Sequence, residues 1–111
     1  MIEVIIKNYL EPILGVPVST EHKENDPQTF VIIERVGGGS ENHVRTASVA
    51  IQSYAPTMYQ AAQLHEQVLA AMDNIMALDD IGWSSLNAEY TYTDEETKKP
   101  RYQALFDISY Y

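Results

Sequence analysis

The sequence predicts an α+β domain: a mainly antiparallel sheet of about four to five strands with two helices packed on one face. Two periodicities and their order carry that prediction. Tyr102, Ala104, Phe106, Ile108 and Tyr110 occupy alternate positions of the closing segment, the period of a half-buried strand. Segments 2–14 and 57–77 instead repeat apolar residues at three- and four-residue spacing, the period of an amphipathic helix. Strand-like runs lie between and after them, giving the order α-β-β-β-α-β-β in a single domain over residues 1–111.

In the first helix Ile2, Ile5, Ile6, Tyr9, Leu10, Ile13 and Leu14 share one side, and Glu3, Lys7, Asn8 and Glu11 the other. Pro12 has no amide hydrogen and is expected to end the regular bonding or kink the last turn, with Gly15 as a natural stop. Val16 to Thr20 is short and extended, and Pro17 places it at a sheet edge or strand start. Residues 21–28 (EHKENDPQ) form a polar loop. Phe30-Val31-Ile32-Ile33 is apolar on both faces before alternation resumes at Glu34 and Arg35, as in a strand covered over its first half. Gly37, Gly38, Gly39, Ser40, Glu41, Asn42 and His43 read as a flexible hairpin tip, because each glycine adds backbone entropy that ordering must remove. The return strand, 44–54, sets Ala47, Val49 and Ile51 against Thr46, Ser48 and Gln52.

Thr57 and Gln60 have the spacing of a capping box and start the second helix. Its buried stripe is Ala61, Leu64, Val68, Met72 and Ile75, widened by Ala71 and Met76, and it ends near Ala77. Asp79-Asp80-Ile81-Gly82 connects to a strand with Leu86, Ala88, Tyr90 and Tyr92 on one face. A charged turn, residues 93–100 (TDEETKKP), leads into the closing strand, where Tyr110 is expected to face the core and Tyr111 to face outward.

Composition narrows the chemistry. With no cysteine, disulfides, thiolate zinc sites and cysteine nucleophiles are excluded. No basic leader opens the chain and no stretch approaches the roughly 18–20 apolar residues of a membrane span, so an intracellular protein is expected. Sixteen acidic against seven basic side chains leave a formal charge of −9, which repels phosphates and disfavours tight wrapping of nucleic acid. The glycine run lacks the following helix and the lysine of a phosphate loop. His65-Glu66 lacks a second histidine four residues on, where Leu69 stands, and His22 and His43 fall on separate loops, so no metal site is expected. Asp79-Asp80 and Glu95-Glu96 are adjacent acids in polar turns, unlike the cleft pairs whose pKa values are pushed apart for acid–base work. No serine sits in a G-x-S-x-G elbow. No catalytic residue, cofactor or small-molecule substrate is therefore expected. The tyrosines on strand faces suit either a sheet core or a protein interface, where a ring is buried and a hydroxyl stays wet.

Read in order, several segments resemble the tail-terminator (tail-completion, head–tail joining) proteins of long-tailed bacteriophages and prophages. They are Glu34-Arg35-Val36-Gly37-Gly38-Gly39, Ala50-Ile51-Gln52-Ser53-Tyr54-Ala55, Tyr59-Gln60-Ala61-Ala62-Gln63-Leu64, Leu86-Asn87-Ala88-Glu89-Tyr90, and Pro100 to Asp107 with Tyr110-Tyr111. The resemblance implies a structural protein that caps the tail tube, fixes tail length and offers the filled head a docking surface, commonly as a six-membered ring. The implied partners are further copies of the chain (a hexamer), the tail-tube protein and head-connector proteins, with DNA passing through without specific binding. The implied location is the virion tail or head–tail junction, after assembly in the host cytoplasm. On that view Gly37 to His43 forms a contact or lumen loop, and Asp94, Glu95, Glu96 and Tyr111 join it as candidate interface residues. Ring closure needs an uncovered strand edge, for which the closing strand or the Val16–Thr20 strand is the candidate. Two alternatives stay open: another head–tail connector, adaptor or minor structural protein, and an acidic module that mimics DNA toward a basic partner.

Overall fold

The computed structural model of the chain describes residues 1–22, 27–41, 44–93 and 99–111. Its elements are α1 (Ile2–Leu14), β1 (Val18–Ser19), β2 (Phe30–Glu41), β3 (Val44–Tyr54), α2 (Met58–Met72), a 3-10 turn (Ile75–Ala77), β4 (Ile81–Thr93) and β5 (Pro100–Tyr110). The strands form a five-stranded sheet in the order β1-β2-β3-β5-β4. Only the β1–β2 pair is parallel, and both helices pack on one face, as the apolar periodicities predict.

Pro12 lies inside α1 without ending it. Its ring is exposed and only one turn remains, so few bonds are lost before Gly15 caps the helix at φ 69°, its N–H donating to the Glu11 carbonyl. Ile2, Ile6, Leu10 and Leu14 are buried. At the start of α2 the Thr57 side chain accepts the Gln60 N–H at 3.1 Å, one half of the expected box. Ala61, Leu64, Val68, Ala71, Met72 and Ile75 are buried, but Met76 is 49% exposed. The change from α to 3-10 winding after Met72 shifts the face each residue presents, and Met76 leaves the stripe.

The main core joins both helices to Val31, Ile33, Val49, Ile51, Ala104, Phe106 and Ile108 on one face of the sheet. No helix covers the other face among the described residues. One end of that open face is closed by a second cluster, in which Phe30 stacks on Tyr54 at 4.5 Å between ring centroids. The His22 ring stands edge-on to both, and the Arg101 guanidinium donates to the Tyr54 hydroxyl at 2.9 Å. Polar residues fill the rest: Gln52 donates to Gln103, Gln103 donates to the Tyr90 hydroxyl, and Ser48 and Asn87 both donate to Asp107.

The structure corrects three further expectations. Gly37, Gly38 and Gly39 are not a hairpin tip: β2 runs through them to Glu41 and pairs them with Ser48, Ala47 and Thr46. All three have φ outside the left-handed range, so they pair as extended strand after a register shift between Arg35 and Gly37. Second, the closing strand is no edge, because β5 lies between β3 and β4. Third, Leu86, Ala88 and Tyr90 do not share a face. A register shift between Leu86 and Ala88 inserts Asn87, leaving Leu86 beside Phe106 on the helix face and turning Ala88 and Tyr90 to the open face.

Candidate assembly surface

The most exposed large apolar groups of the sheet lie along its two margins. At the β4 margin Trp83, Leu86 and Tyr90 are 45%, 42% and 43% exposed. Among the described residues no strand pairs with the outer side of β4, so a thirteen-residue strand ends the sheet there. At the opposite margin β1 pairs with Val31 and Ile32 of β2. The remainder of β2, from Ile33 to Glu41, has no strand on its outer side among the described residues. Unpaired backbone N–H and C=O groups in such a row are a template for another strand.

Pairing register ties the two margins together. One row across the sheet runs Arg35, Val49, Phe106, Leu86; the next runs Gly37, Ser48, Asp107, Ser85. A third runs Gly39, Thr46, Ser109, Trp83. The bare stretch of β2 is thus level with the Trp83 end of β4. Gly37, Gly39 and Trp83 lie on the open face and Arg35 and Leu86 on the helix face, because a register shift between Arg35 and Gly37 inserts Val36 and reverses the alternation there.

The glycines differ in what requires them. A Cβ at Gly38 meets the Thr46 carbonyl at 2.7 Å and the Arg35 guanidinium, so that position has no room for a side chain. At Gly37 the nearest atom to such a Cβ is Ser48 Cβ at 4.0 Å, and at Gly39 it is Thr46 Oγ1 at 3.7 Å. Neither has positive φ. Nothing within one copy of the chain explains glycine at 37 and 39, although each makes the strand harder to order.

A groove borders β4 on the helix face, lined by Glu66, Leu69, Ala70 and Asp73 of α2 with Leu86 and Phe106. Its two carboxylates are exposed. At the far margin Arg35 is exposed, its Nε donating to the Gly37 carbonyl at 3.3 Å, with no carboxylate partner among the described residues.

Of the residues singled out from sequence, Gly37, Gly38, Gly39 and Ser40 lie on the β2 margin, and Glu41 ends the strand opposite Val44. Asn42, His43, Asp94, Glu95 and Glu96 lie outside the described residues. Tyr111 is 69% exposed and its N–H donates to the Asp80 carbonyl, whereas Tyr110 is 5% exposed in the core, the division of roles expected for the pair. Arg35, Glu66, Asp73 and Trp83 were not singled out as contacts. Trp83, the only tryptophan, stands among Gly82, Ser84 and Ser85, a setting that gives it no apolar periodicity and thus no reason to be core.

Fold and surface together define an α+β domain whose sheet has two open, unequal and mutually level margins. No protein-family model matches the chain, and no curated protein matches it. No described helix is long and apolar enough to cross a membrane. Among the described residues no group of three or more His, Asp or Glu side chains could hold a metal ion.

Proposed function

We propose that this chain is a structural protein of a long-tailed bacteriophage or prophage, acting as a tail terminator. It caps the tail tube, fixes its length and presents the surface on which the filled head docks, without catalysing a reaction. The observation that carries this reading is the pair of open sheet margins at opposite sides of one domain. Two different margins that meet make a head-to-tail contact, and head-to-tail contacts form rings when the rotation between copies closes. A ring of six copies at the head–tail junction is the assembly implied by the sequence resemblance. The charge of −9 per copy suits a passage for DNA, since like charges oppose adhesion to the wall.

Deleting the gene from its phage tests the reading by electron microscopy of the lysate. The expected result is filled heads without tails beside tails of uncontrolled length. Normal tail length with unjoined heads moves the protein to a connector or adaptor role. Normal tails joined to heads sink the reading altogether.

A further inference from the structure

The two sheet margins are complementary in three independent respects, and we infer that they pair with each other between copies: β4 of one copy adds antiparallel to the Ile33–Glu41 stretch of β2 in the next. Strand direction permits it. In the order β2-β3-β5-β4 every neighbour is antiparallel, so β4 runs opposite to β2, and a level head-to-tail neighbour presents β4 antiparallel to it. Both stretches then gain hydrogen-bond partners for their unpaired backbone groups.

The second respect is steric. In the level register Trp83 of one copy stands opposite Gly39 of the next, with Gly37 its diagonal neighbour on the same open face. A large ring lying across a strand needs that strand bare. Gly37 and Gly39 supply the bare surface, at the two positions where nothing inside the chain requires glycine. The ring in turn covers glycine backbone that is otherwise left to water.

The third is charge. Arg35 of one copy is level with Leu86 of the next, on the helix face, where the groove holds Glu66 and Asp73. An arginine with no carboxylate partner among the described residues at one margin meets, at the other, two exposed carboxylates with no cation partner among them. The same register sets Tyr90 and Thr91 level with Ile32 and Val31, whose outer side β1 already fills, so the pairing uses only the Ile81 to Glu89 part of β4. The occupant of each margin is therefore a second copy of this chain. This inference rests only on the ring within the function proposed above, and not on what the ring caps.

The absence of native cysteine makes the test direct. Glu34→Cys is combined in one chain with Ala88→Cys, its level partner on the open face, or with Ser85→Cys to cover a stagger, and the protein is oxidised at high concentration. Disulfide ladders that need both cysteines are expected, with no single variant giving more than traces. Ladders from Ala88→Cys or Ser85→Cys alone indicate β4-to-β4 pairing and overturn the inference, as does the absence of any ladder. Charge exchange gives a second readout by sedimentation. Arg35→Glu is expected to weaken self-association about tenfold or more. Adding Glu66→Arg and Asp73→Arg to it is expected to restore most of the loss; no recovery removes the groove from the contact. Rings that form without the double-cysteine ladder defeat this inference and leave the tail-terminator reading standing. Ladders from a chain whose deletion leaves tails normal do the reverse.

Discussion

Tyr54 and His65 are both fully buried, yet their polar atoms fare differently. The Tyr54 hydroxyl accepts from Arg101 at 2.9 Å, lies 3.1 Å from His22 Nε2 and points to Gln52 Oε1. Tyr54→Phe removes that hub and is expected to lower stability by about 1–2 kcal/mol in urea unfolding. His65 sits on the buried face of α2 with its ring stacked on Tyr102, and neither ring nitrogen has a hydrogen-bond partner among the described residues; Glu89 approaches Nε2 only to 3.6 Å. His65→Leu replaces an unsatisfied polar ring with an apolar group and is expected to raise stability by about 1 kcal/mol. Equal losses from both substitutions would mean that ring stacking, rather than polar satisfaction, sets the worth of His65. The sequence distinguishes these residues poorly, because partners such as Arg101 for Tyr54 are 47 positions away. It does separate Tyr110 from Tyr111, since strand alternation is a local property.

At the scale of elements, the proposed pairing makes glycine in β2 a trade of stability for assembly. A Cβ at 37 or 39 meets nothing closer than 3.7 Å, and valine suits extended backbone. The double substitution Gly37→Val with Gly39→Val is expected to raise the thermal midpoint of the isolated chain, by about 0.5–1 kcal/mol equivalent per site, while abolishing self-association. A fall in the midpoint would locate an internal role for the glycines. Helices and strands could be recognised from sequence because their periods are written along the chain, as the stripes of α1 and α2 demonstrate. Strand order could not. Which strand lies at the margin depends on β5 inserting between β3 and β4, and a residue pattern identical in kind serves an edge or a centre. The glycine run misled for a related reason. Entropy disfavours glycine in a strand, but two flanking strand segments with β3 as template hold it extended. The Asn87 insertion likewise breaks the alternation by one residue, which turned Ala88 and Tyr90 away from the face that Leu86 occupies.

For the molecule as a whole, long-range repulsion opposes the local complementarity of the margins. Each copy carries a formal −9, and fields of that size reach about 10 Å at 0.1 M salt. The Arg35 contact acts at closer range and at one place. The rate of self-association followed by light scattering is therefore expected to rise, about tenfold or less, as salt increases from low to physiological strength. A falling rate would show that the margins attract each other from a distance.

The sheet's strand directions also fix a polarity. The Glu41–Val44 pair of β2 and β3 and the Thr93–Pro100 pair of β4 and β5 lie at opposite ends of the sheet. Copies joined side by side through level margins all point the same way, so every Glu41 end gathers on one rim and every Thr93 end on the other. An object with two unlike rims can sit between two unlike neighbours in only one orientation, and the direction of the stack is then written into a single chain.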